Sequence, residues 1–156
     1  MVTSSLLWFS VMQVFFCAQS VAEAVIPEPG WAMISIVDSG CPPAQLEPGW
    51  SRLLRLHFDD ITVAPPPGFG DRFVPFAWGD AARVVLFVSQ LVRRPPPRVV
   101  VHCWAGVSRS GAVAAYVARR LACPVTPLPE DPNRWVLARL AVVHRLLSPL
   151  IALRIL

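Results

Sequence analysis

The chain has 156 residues, 54% of them hydrophobic and 15% charged, with a mean hydropathy of +0.52. Such a chain can offset its ordering entropy, which excludes global disorder, and its length suits one domain, residues 1–156. The net charge of +4 comes from 14 arginines and no lysine. Guanidinium suits phosphate, but the longest basic cluster (Arg93, Arg94, Arg98) is broken by three prolines and lacks interleaved aromatics. A nucleic-acid partner is therefore not expected.

No apolar run reaches the ~20 uninterrupted residues of a membrane span, so no membrane partner is expected either. Four cysteines without a CxxC pair exclude a disulfide scaffold and a zinc knuckle. The first 24 residues carry two features of a secretory leader, an apolar stretch over 6–16 and the small-residue triplet Ala22-Glu23-Ala24. No basic residue precedes Arg52, however, so the positive leader segment is missing. Leu7, Val11, Val14, Ala18, Val21 and Val25 recur at helical spacing, which predicts a retained amphipathic helix.

After a turn at Pro27-Glu28-Pro29-Gly30, residues 31–37 read as a buried strand ended by Asp38-Ser39-Gly40. Residues 52–58 alternate, with Leu54, Leu56 and Phe58 on one side, and read as a second strand that runs into Asp59-Asp60. A Pro/Gly-rich loop over 61–70 follows, and residues 78–92 have helical spacing. Val99-Val100-Val101 suits a central parallel strand. Helices are predicted over 110–121 and 131–147, the latter with Asp131 as cap and Pro132 in its first turn. Strands alternating with helices predict an α/β fold, a mostly parallel central sheet with helices on both faces.

The chemistry is concentrated at residues 99–111. An apolar strand ends at His102; Cys103 opens a short loop of small residues, Trp104-Ala105-Gly106-Val107-Ser108; Arg109 comes six positions after the cysteine, and a helix starts at once. Gly106 can take positive φ. Inward amides of such a loop, with the helix N-terminus, form an anion cradle, to which Arg109 adds a planar double donor. The same positive field favours thiolate, the nucleophilic form of Cys103. One cup would then hold a phosphate monoester and present sulfur to phosphorus, the arrangement needed for covalent catalysis through phosphocysteine. Loop amides and Arg109 would do the work of a cation, so no metal or cofactor is called for. Cys17, Cys41 and Cys123 lack this context, and His57 and His144 have no partner at a telling spacing.

His102-Cys103-x5-Arg109-Ser110 resembles the signature of the cysteine-based protein tyrosine phosphatases, and its HCxAGxSRS form looks most like small bacterial dual-specificity-type members. The similarity in element order covers roughly residues 30–145. It implies Cys103 as nucleophile, Arg109 as the holder of the phosphoryl group, Ser110 as a donor to the departing sulfur, and His102 as acting through the loop backbone. Residues 104–109 would line the substrate cradle.

The resemblance also implies a general acid, an aspartate upstream of the cysteine that protonates the leaving oxygen and then activates water. Asp60, 43 positions upstream at a strand end, is favoured; Asp71, 32 positions upstream, and Asp59 stay open, with Asp80 a further candidate. Residues 104, 105, 107 and 108 include no Arg, which disfavours inositol phospholipid substrates. Phosphotyrosine is the expected substrate group, with phosphoserine and phosphothreonine alongside it, on a protein or a small monoester. The alternative is a pseudophosphatase, a phosphate-binding interaction module without a working acid. A thiolate that must stay reduced points to the cytoplasm.

Overall fold

The apolar run around Val99-Val100-Val101 does become the centre of a sheet. A computed structural model describes residues 12–64, 66–68 and 72–154. In chain order these form β1 (Gln13–Ala18), α1 (Gln19–Glu23), β2 (Ala32–Val37), β3 (Arg52–His57), α2 (Trp78–Arg93), β4 (Arg98–Cys103), α3 (Ser108–Leu121), β5 (Val125–Thr126) and α4 (Arg134–Ala152). The strands build one five-stranded parallel sheet in the order β3-β2-β4-β1-β5. The expected α/β class holds.

Alternate residues of the strands face opposite layers. Ile34, Ile36, Leu54, Leu56, Val99, Val101, Val14 and Phe16 enter the main core, where Ala81, Val84, Val85 and Val88 of α2, Ala112, Val113 and Val117 of α3 and Val136, Leu140 and Val143 of α4 meet them. Met33 and Val100 point the other way, onto Ala22 of α1, Trp31 and the loop residues Leu46 and Trp50. The three long helices thus share one face; the second face is covered by the short α1 and the 41–50 loop.

The N-terminal helix reading is corrected over residues 13–18, which form β1, an interior strand between β4 and β5. Val14 and Phe16 are buried at a two-residue period, and pairing runs from Gln13↔Arg98 to Ala18↔Cys103. Two ladders of hydrogen bonds and the β-favouring Val14-Phe15-Phe16 outweigh a 3.6-residue stripe that a short apolar run satisfies by chance. Helix begins only at Gln19; Leu7 and Val11 lie outside the described residues. Asp131 does not cap α4: Asn133 does, its side chain accepting from the Val136 amide at 3.0 Å. Pro132 accordingly precedes the helix.

Candidate functional site

Because all strands are parallel, their C-terminal ends meet at one edge, where open α/β sheets place ligands. Cys103 ends β4, Asp38 follows β2, Phe58-Asp59-Asp60 follow β3, and Cys17-Ala18 end β1. A cavity of about 600 Å³ opens there, lined by Asp38, Asp59, Asp60, Cys103, Trp104 and Arg109, with Ala105 and the apolar Ile61, Val63 and Phe73.

The loop between β4 and α3 is held from behind. Gly106 has φ +71°, and a Cβ there would stand 2.2 Å from the Ala18 amide nitrogen and 2.3 Å from the Cys17 carbonyl carbon. Only glycine lets the loop rest on the end of β1. The Gln19 amide donates to the Trp104 carbonyl at 3.3 Å across the same contact. Among the described residues, the amides of 104–109 meet no protein acceptor. The first turn of α3 has no side-chain cap, and such a set of free donors is an anion site in waiting.

Cys103 is buried, its Sγ 3.1 Å from Ser110 Oγ. Arg109 is also buried. Its Nη1 donates to Asp38 Oδ1 at 2.5 Å and to the Phe58 carbonyl at 2.7 Å. Its Nε is buried without a hydrogen-bond partner and lies 4.0 Å from Asp60 Oδ2. One end of the guanidinium is therefore anchored in protein, while the Nε edge keeps an unspent donor.

Asp60 lines the cavity. Its Oδ1 accepts from Ser108 Oγ at 2.8 Å and from Asn133 Nδ2 at 2.7 Å. Asn133 also donates to the Ile61 carbonyl at 3.1 Å, so the residue that caps α4 fixes the loop after β3 as well. Asp59 is a strut. It accepts from the Ser39 amide at 3.0 Å, Ser39 Oγ at 2.8 Å and the Val74 amide at 2.7 Å. Burial works to raise its carboxyl, but the Ser39 and Val74 donors, with the charge of Arg109, hold it below the usual carboxylate range. Asp80 accepts from the Ala77 amide at 3.0 Å at the start of α2. Asp71 lies outside the described residues.

His102 points to the opposite face of the sheet from Cys103 and does not line the cavity. Its Nε2 lies 2.7 Å from Ser35 Oγ, the side chain beside it in register on β2. Burial pushes the imidazole down to about 4, against an opposing pull from the Cys103 backbone and Glu23. It is neutral, and its Nδ1 is buried without a hydrogen-bond partner. Trp104, 67% exposed, stands at the cavity rim. Of the remaining loop residues, Ala105 lines the cavity; Gly106 backs onto β1, Val107 is exposed, and Ser108 reaches Asp60.

Sequence reasoning missed Asp38, Asn133, Ser35 and the Phe58 carbonyl. Asp38 had a usable signal, a carboxylate directly after a parallel strand. Asn133 had none, since its partner lies 73 positions away.

No family model matches the chain, and neither does any curated protein. Among solved structures the chain is similar to human DUSP28, at 16% identity over 87% of this chain and 94% of that chain, with a TM-score of 0.47. It is also similar to a mouse dual specificity phosphatase complexed with zinc tungstate, at 19% identity over 78% of this chain and 75% of that chain, with a TM-score of 0.45.

Proposed function

We propose that this protein is a phosphoric monoester hydrolase that acts on phosphotyrosine, and on phosphoserine and phosphothreonine, through a phosphocysteine at Cys103. The observation that carries the reading is the arrangement of Arg109: Nη1 is anchored on Asp38 and Phe58 while the buried Nε, 4.0 Å from Asp60 Oδ2, has no hydrogen-bond partner beside the cavity that Cys103 lines. A buried guanidinium donor without a hydrogen bond is costly, and a phosphoryl oxygen is the acceptor that would satisfy it.

In this mechanism the Cys103 thiolate attacks phosphorus and the bond to the leaving oxygen breaks. Asp60, through the Oδ2 that Ser108 and Asn133 leave free, gives that oxygen its proton. Asp60 then takes a proton from water as water attacks phosphorus, the S–P bond breaks, and Ser110 donates to the departing sulfur. Amides of 104–109 and Arg109 stabilise the equatorial oxygens throughout. His102 acts through the loop backbone, holding it without touching substrate. Trp104, Phe73 and Ile61 offer apolar walls to an aryl ester. A reducing compartment, the cytoplasm, suits the thiolate.

A second reading is a phosphate-binding module without turnover. It is favoured by the ion pair of Asp60 Oδ2 with Arg109 Nε at 4.0 Å, which engages the oxygen that the acid role needs. Turnover of p-nitrophenyl phosphate separates the two. Hydrolysis by the wild type, abolished in Cys103→Ser with phosphate binding kept, supports the enzyme; absence of hydrolysis in the wild type supports the module.

A further inference from the structure

We propose that a second cavity, which shares Trp104 with the cup, is a substrate subsite for the side chain of an arginine one or two positions from the phosphorylated residue of a protein. This rests on the reading of the cup as a phosphomonoester site and adds a substrate class to it. Trp104 lines both cavities; the second, of about 210 Å³, is completed by Gln19, Ser20 and Glu23. The indole is exposed, so the shared wall is open to a ligand. Extended chain advances about 3.4 Å per residue, so a peptide with its phosphoryl group in the cup carries a near neighbour past Trp104.

Backbone fixes the second cavity relative to the cup. β1 pairs with β4 up to Ala18↔Cys103, α1 starts at the next residue, and the Gln19 amide donates to the Trp104 carbonyl at 3.3 Å. Glu23 is held from two sides: its Oε1 accepts from Gln19 Nε2 at 2.8 Å and from the Gln45 amide at 3.0 Å. These two donors hold its carboxyl below the usual carboxylate range, so it is charged at neutral pH. Among the described residues its Oε2 has no hydrogen bond and no arginine pairs with it.

The donor and acceptor set of the cavity selects the ligand. Glu23 Oε2, the Gln19 amide oxygen and Ser20 Oγ can all accept, while Gln19 Nε2 is committed to Glu23. Guanidinium is the complement: five donors and no acceptor, a plane that stacks on an indole and a fork that fits a carboxylate. An acidic neighbour would meet Glu23 as like charge, and a small monoester would meet a further negative charge beside the cup without a cation to answer it. Glu23 therefore discriminates among phosphorylated ligands by attraction and by repulsion. It also ties α1 to the 41–50 loop, but through Oε1 alone. Glu23→Gln keeps an oxygen that can accept both bonds and removes only the charge.

The test is peptide binding, read by fluorescence anisotropy on the full chain carrying Cys103→Ser, so that no turnover is needed. The probes are phosphotyrosine peptides with Arg or Gln at each of the two positions on either side of the phosphorylated residue, with their unphosphorylated forms. At one or more of these positions the arginine peptide should bind roughly tenfold more tightly than its glutamine counterpart, the combined effect of an exposed ion pair and a cation–π contact. Adding Glu23→Gln, with the fold checked by circular dichroism, should reduce that ratio to about twofold or less. The proposal is overturned if arginine and glutamine peptides bind alike at every position, or if the arginine preference survives Glu23→Gln unchanged. It is also overturned if the unphosphorylated arginine peptides bind as tightly as the phosphorylated ones. Phosphopeptide binding without an arginine preference sinks the subsite alone, whereas no binding of any phosphopeptide sinks the reading of the cup along with it.

Discussion

Arg109 and Asp38 are joined by a 2.5 Å bond from Nη1 to Oδ1, across 71 positions of sequence. The bond fixes the guanidinium plane before any ligand arrives, which turns a flexible side chain into a rigid fork. Arg109→Ala should lower kcat/KM on p-nitrophenyl phosphate by on the order of 10³-fold, about 4 kcal/mol of transition-state stabilisation. Asp38→Asn keeps an acceptor but loses the charge, and should cost on the order of 10-fold. Near-normal turnover in Arg109→Ala would remove Arg109 from the site.

Asp60 and Asp59 are neighbours in sequence with different surroundings. Asp60 faces the cavity with one oxygen free of hydrogen bonds, whereas Asp59 spends both oxygens on Ser39 and Val74. Asp60→Asn should flatten the basic limb of the pH–rate profile. Asp59→Asn should lower thermal stability with the shape of the profile kept. A flattened limb in Asp71→Asn, with Asp60→Asn unaffected, would move the acid role to Asp71.

Gly106 sits where a methyl group would strike backbone at 2.2 Å, while a Cβ at Gly79 meets nothing within 4 Å. Gly106→Ala should lose about 3 kcal/mol, a fall in Tm of about 10 °C, together with phosphate binding. Gly79→Ala, near the start of α2, should be neutral or slightly stabilising. Equal Tm values for the two variants would contradict the contact between the loop and β1.

His102 is neutral when folded because burial lowers it to about 4, against about 6.5 in the unfolded chain. The unfolded state therefore binds more protons between these values, and stability falls as pH drops through that window. Chemical denaturation should find about 2 kcal/mol less stability at pH 5 than at pH 7 from this group. His102→Asn should remove that part of the slope; an unchanged slope would place the acid sensitivity elsewhere.

Much of this was legible in the sequence because it is local. The strand, loop and helix around Cys103 are contiguous, so their spacing alone brings thiol, small residues and guanidinium together. β2, β3, α2 and α3 announced themselves through apolar period and turn residues. β1 did not, because six residues of Gln13–Ala18 satisfy a helical and a strand pattern alike, and only pairing with β4 and β5 decides. The anchors of the site were hidden for a related reason. Asp38 reaches Arg109, Ser35 reaches His102 and Asn133 reaches Asp60 only after strand order is set, over separations of 67 to 73 positions.

The most direct measurement is acid quench of the wild type during turnover of p-nitrophenyl phosphate, followed by peptide mapping by mass spectrometry. Phosphate should be found on the peptide containing Cys103, in greater yield for Asp60→Asn, where the second step is slowed, and not at all for Cys103→Ser. Turnover with no phosphate on Cys103 in either protein, or turnover that survives Cys103→Ser, would contradict a covalent role for this cysteine.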